Sequence, residues 1–137
     1  HAAYVFVPLG LLFSGLAALW PETIPSIAGV HVFGVGAIGA MTLAVMTRST
    51  LGHTGRELRA DPVTVLIYLS IIGATLLRFA AGFYPGQMAL LHASAALWMI
   101  AFFGYVLRYG PMLMRPRVKP KKPNPRPAAP QASATTA

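Results

Sequence analysis

The sequence predicts an all-α protein, a polytopic transmembrane helix bundle with four spans, and three observations carry that expectation. Of 137 residues, 55% are hydrophobic and only 10% are charged, a balance far from that of water-soluble domains. The apolar residues gather into four blocks, each about as long as a bilayer is thick. None of the blocks alternates with the two-residue period of a barrel strand. Open strands cannot face lipid, because their unpaired backbone groups would find no partner there, whereas a helix satisfies its own. A water-soluble enzyme fold is therefore excluded. The chain has no cysteine, so any metal must rely on His, Met or oxygen ligands.

The first block, residues 2–20, gives about 28 Å of helix at ~1.5 Å per residue, enough to span. Pro21 and Pro25 bracket the short turn that follows, since proline removes an amide hydrogen and restricts its predecessor. Ser26 is the expected N-cap of a second span, residues 26–47, which carries His31 and the glycines Gly29, Gly34, Gly36 and Gly39. Gly36, Ala40 and Ala44 form a small-residue stripe that allows close helix packing. Residues 48–61 form the only sizeable polar connection. Asp61-Pro62 then opens the third span, residues 62–84, with an acid at the cap and proline in the first turn. Pro85-Gly86 breaks the chain before the fourth span, residues 88–109, which Gly110-Pro111 is expected to stop. Residues 1–114 thus form the transmembrane domain. Residues 115–137, rich in Pro, Lys, Arg, Ala, Ser and Thr, read as a disordered basic tail.

Charge sets the expected orientation. Arg48, Arg56 and Arg59 lie in the central loop, and Arg108, Arg115, Arg117, Lys119, Lys121, Lys122 and Arg126 lie at the end. The two short turns hold no Lys or Arg. By the positive-inside rule the central loop and the C-terminus face the cytoplasm. Anionic lipid headgroups account for the net charge of +8 better than nucleic acid does, because the cations follow the last helix without interleaved aromatics or a binding motif. Trp20, Tyr84 and Tyr109 stand at span ends, where such rings anchor at the membrane interface.

Polar groups inside the spans point to function, because hydrocarbon resists them. His31 and His92 stand at similar depths in parallel spans, and Arg78 falls near the same level in the span between. Two imidazoles there would suit a haem iron or copper, with the guanidinium on a propionate or another anion. Helix-to-helix hydrogen bonding and snorkelling of Arg78 are the plainer uses. Met41, Met46, Met88 and Met99 offer thioethers but lack a ligand-like spacing. His53, between Gly52 and Gly55, is either a ligand at the cytoplasmic face or the cap of a neighbouring helix end. No Walker pattern, catalytic triad or paired carboxylates appear; the acids are Glu22, Glu57 and Asp61.

The run from Gly36 through Arg48 to Ser49-Thr50-Leu51-Gly52-His53-Thr54-Gly55-Arg56 resembles the NnrS family of bacterial inner-membrane proteins. His1 with Tyr4 and Pro8-Leu9-Gly10-Leu11, His31 ahead of the glycines, and Arg108-Tyr109-Gly110-Pro111 with Arg115-Pro116-Arg117 resemble it too. The resemblance implies a haem- and copper-containing protein that helps cells withstand nitric oxide, as in denitrification. It implies His1, His31 and His53 as candidate metal ligands, with Arg48 and Arg56 as anion or propionate partners; His92 matches no family motif. It also implies nitric oxide as a ligand, and further N-terminal helices of the same protein, of which this chain would be the C-terminal part. The rival expectations are a transporter or channel segment moving a small anion or proton past His31 and Arg78, and a purely structural bundle.

Overall fold

The computed structural model describes residues 2–118, and it is an all-helical bundle among those residues. His1 and the tail from Lys119 onward lie outside the described residues, so the expectation of a disordered tail concerns mainly residues not described. Four helices follow one another: α1, Ala2–Leu19; α2, Ser26–His53; α3, Pro62–Phe83; and α4, Met88–Leu113. α2, α3 and α4 are long and apolar enough to cross a membrane, and α1 is a shorter apolar helix beside them. Two short turns connect the helices at one end of the bundle, and the arginine-bearing connection lies at the other. We call these the turn end and the arginine end.

Several boundaries differ from the expected ones for identifiable reasons. α2 runs past residue 47 to His53, so Arg48 and His53 are helical rather than in a loop. Beyond His53 the chain turns at Gly55, which adopts φ +71, and Arg56 N–H returns to Leu51 O at 2.9 Å, closing the last turn in the manner of a glycine C-cap. α4 likewise passes Gly110, with Pro111 in its last turn, where a missing amide hydrogen costs a single bond. Ser26 does not cap α2 through its side chain; Pro25 holds the cap position in extended backbone. Asp61 does cap α3, accepting Thr64 N–H at 2.8 Å, with Pro62 behind it.

α2 is regular at both ends but winds as a π-helix over Val32–Gly39, a stretch holding Gly34, Gly36 and Gly39. Widened turns of this kind are uncommon and gather at functional places. The small-residue stripe passes through it and is used for packing. A Cβ at Gly36 would stand 2.8 Å from Phe6 Cγ of α1 and Thr75 Cγ2 of α3, so only glycine admits both neighbours. α1 packs against the first half of α2, and α3 and α4 form the tightest pair. Ala40, Leu43, Ile67, Ile71, Ala101, Tyr105 and Tyr109 form the buried core that joins α2, α3 and α4.

Candidate functional site

Two polar regions stand apart along the bundle. Near the turn end, Arg78 of α3 reaches across to α2 and its Nε–H donates to His31 Nε2 at 3.2 Å. An imidazole that accepts at Nε2 is neutral and carries its proton on Nδ1. That Nδ1 is buried and has no hydrogen-bond partner among the described residues. His31 sits at the residue where α2 passes into the π segment. The pair lines a cavity of about 340 Å³ together with Val35, Ser94, Ala95, Trp98 and Met99. His92 is exposed, and it does not line this cavity. The expected three-residue layer is thus a pair. Equal depth left the direction of each side chain open, and α4 turns Ser94, not His92, toward α3, where its hydroxyl donates to Ala74 O at 2.8 Å.

The arginine end is a network of hydroxyls and one ion pair. Thr47 meets the Tyr68 hydroxyl at 2.7 Å, Thr50 meets that of Tyr105 at 2.8 Å, and Thr64 meets that of Tyr109 at 2.6 Å. Thr64 also donates its hydroxyl to Asp61 Oδ1, and Arg108 pairs with Asp61 Oδ2. The hydroxyl and amide of Thr64, with Arg108 adding to them, hold the Asp61 carboxyl at about 2, below its ordinary 3.8. Tyr109, expected at the interface, is instead 2% exposed, because Thr64 supplies its hydroxyl with a partner inside the bundle. Trp20 and Tyr84 are exposed at helix ends, as expected.

The remaining sequence candidates lie around this end. Arg48 lines a second cavity, of about 270 Å³, with Arg59, Thr47, Thr64, Tyr68 and Tyr109 among its other walls. His53 is exposed on the last turn of α2 and makes no side-chain hydrogen bond among the described residues. Arg56 carries a buried Nη1 without a partner among the described residues. The chain beyond α4 returns to this corner: Val118 N–H donates to Thr54 O at 3.0 Å, and the Arg117 side chain passes beside Gly55.

His31 and His53 stand at opposite ends of one helix, about 30 Å apart at ~1.5 Å per residue, so they cannot hold one metal ion together. Among the described residues no three His, Asp or Glu side chains cluster as a metal site. The fit to a metal therefore differs by residue. His53 presents an open imidazole that suits a single ligand, with Arg48 and Arg56 in the same end of the bundle. His31 fits a metal only if Arg78 leaves Nε2, since a guanidinium and a metal cation cannot share one lone pair. The paired hydroxyls and the π segment were missed in the sequence; Thr47, Thr50 and Thr64 inside or beside apolar spans were the available signal for the first.

No curated protein and no solved structure matches the chain. The model of the family described as NnrS protein matches residues 1–117, which include α1 to α4, the His31–Arg78 pair and the arginine end, and the chain belongs to the NnrS family.

Proposed function

We propose that this chain works in an integral membrane haem- and copper-containing protein of the nitric oxide response, and that it lies in the bacterial inner membrane with its C-terminus in the cytoplasm. Membership of the NnrS family is the observation that carries this reading. The concentration of arginines at one end of the bundle supports the orientation. His1, His31 and His53 are the proposed ligands, each a single donor whose partner ligands come from outside the described residues. Arg48 and Arg56 are the proposed partners of a propionate or another anion; the orphaned Nη1 of Arg56 supports an acceptor there.

Bound haem or copper would supply a metal able to bind nitric oxide or exchange an electron with it. The chain's own part is to hold and shield. His53 offers an open imidazole, the arginines neutralise carboxylates, and the apolar helices exclude water and admit an uncharged diatomic gas from the lipid. The test is absorption spectroscopy and metal analysis of the full-length protein purified in mild detergent. A Soret band that falls when His53 is replaced by Ala supports ligation, and a colourless, metal-free protein overturns the reading. Full haem and copper retention after replacement of His1, His31 and His53 together overturns the ligand assignment alone.

A further inference from the structure

Among the described residues Arg78 is a cation without a counter-charge. It lies within α3, a segment apolar enough to span a membrane, where a charge is costly and is kept for a use. Among the described residues the only ion pair joins Asp61 to Arg108, at the opposite end of the bundle. The Nε–H of Arg78 is spent on His31, and its terminal nitrogens make no hydrogen bond among the described residues. The guanidinium therefore shows a planar, two-donor edge that is free to meet a pair of oxygens.

What surrounds that edge narrows the ligand. Of the remaining walls, Val35, Ala95, Trp98 and Met99 are apolar, and Ser94 already donates its hydroxyl to Ala74 O. Trp98 and Met99 are 40% and 49% exposed, so the cavity opens sideways, toward what in a bilayer is hydrocarbon. A volume of about 340 Å³ lies within the range of small-molecule sites that combine apolar walls with a few fixed polar groups. An inorganic anion would leave most of those walls without contact, and a neutral apolar molecule would leave the charge without a partner.

The geometry points to a binding site in which Arg78 holds the carboxylate of a small amphipathic monoanion whose apolar body lies against Trp98 and Met99. His31 is its positioning residue. By accepting from Nε it fixes the plane of the guanidinium and turns the terminal nitrogens toward the cavity. The ligand enters laterally from the acyl region. This site is independent of the proposed ligation at His53, which lies at the other end of α2, and it is an alternative to ligation by His31, which would require Arg78 to leave Nε2.

Quenching of Trp98 by a brominated probe tests the site on the full-length protein in zwitterionic lipid nanodiscs, with Trp98→Phe subtracted as background. 8-Bromooctanoate is expected to quench saturably, whereas 8-bromooctanol needs at least about tenfold more, because it lacks the charge-assisted pair. Bromide ion is expected not to quench. Arg78→Gln is expected to weaken the carboxylate by about tenfold or more and to leave the alcohol unchanged, with Arg78→Lys falling between. His31→Leu is expected to narrow the gap between carboxylate and alcohol, and His31→Gln, which keeps an acceptor, to restore part of it. Equal potency of alcohol and carboxylate, or a carboxylate affinity indifferent to Arg78→Gln, overturns the site. Quenching by bromide as strong as by the carboxylate overturns the ligand class. Should Arg78→Gln fail to fold, the Arg78→Lys comparison decides in the same way. Repeating the titration on haem-loaded and haem-stripped protein separates two sources of the carboxylate. Binding to both marks a free amphiphile, binding only to the stripped protein marks a propionate, and either outcome sustains a carboxylate site.

Discussion

The hydroxyl network of the arginine end and the His31–Arg78 pair of the turn end handle buried polar groups in different ways. At the arginine end Thr47, Thr50 and Thr64 each meet a tyrosine hydroxyl, and Asp61 and Arg108 neutralise one another. At the turn end Arg78 has a neutral imidazole for company, His31 Nδ1 has no partner among the described residues, and a cavity opens beside them. Satisfied polar groups lock helices together; unsatisfied ones store a demand that a ligand can meet. The hydroxyl network thus stabilises the bundle, whereas the His31–Arg78 pair is left able to bind; Arg48 beside its own cavity and Arg56 with its orphaned Nη1 keep that capacity at the arginine end too. The π segment, Val32–Gly39, lies between the two ends on α2 and starts at the residue after His31.

That division can be broken by measurement. The largest effect is expected for Thr64→Val, which removes a buried partner of Tyr109 and one of the donors to Asp61, at a cost of about 2–3 kcal/mol in detergent unfolding. Arg78→Leu should act in the opposite sense. It removes an unneutralised charge and should favour insertion of α3 by up to about 2.5 kcal/mol, less than at a helix centre, as read in a translocon insertion assay. If Arg78→Leu destabilised the folded bundle as much as Thr64→Val, the turn end would be structural and the comparison would fail.

Smaller effects sharpen it. Tyr68→Phe should cost about 1 kcal/mol, because the Thr47 hydroxyl keeps its bond to Ala44 O at 3.1 Å when Tyr68 is truncated. Acid should act through Asp61. Its folded carboxyl titrates at about 2, below the ordinary 3.8, so ionisation favours the folded chain. That stability is complete above about pH 4 and is lost as the pH falls toward 2. Unfolding followed between pH 5 and 2 should show this loss in the native sequence and a flatter profile in Asp61→Asn. A slope that Asp61→Asn leaves untouched would remove Asp61 from the account.

Much of this was legible along the chain. The four helices follow from block length and composition, the Asp61 cap from Asp-Pro ahead of an apolar run, and the close approach at Gly36 from its spacing with Ala40 and Ala44. The depth of His31 and Arg78 was legible as well, because counting residues along antiparallel spans gives height. The azimuth of each side chain was not. His92 shared the height of His31 and turned out exposed, and Tyr109 stood at a span end and turned inward to Thr64. The separation of His31 from His53 followed from their places on one helix once α2 was seen to run unbroken to His53.

By itself the sequence determined that the chain is built of membrane-length helices, which of their ends carries positive charge, and which ionisable groups stand inside apolar segments. Those properties are sums over local composition, and hydrocarbon enforces them on each helix separately. Only the tertiary structure decided that Arg78 meets His31 rather than His92, that threonine hydroxyls and tyrosines pair across helices, and where cavities remain. Such choices depend on how helices rotate about their axes when ridges and small residues interlock, a property of pairs of helices.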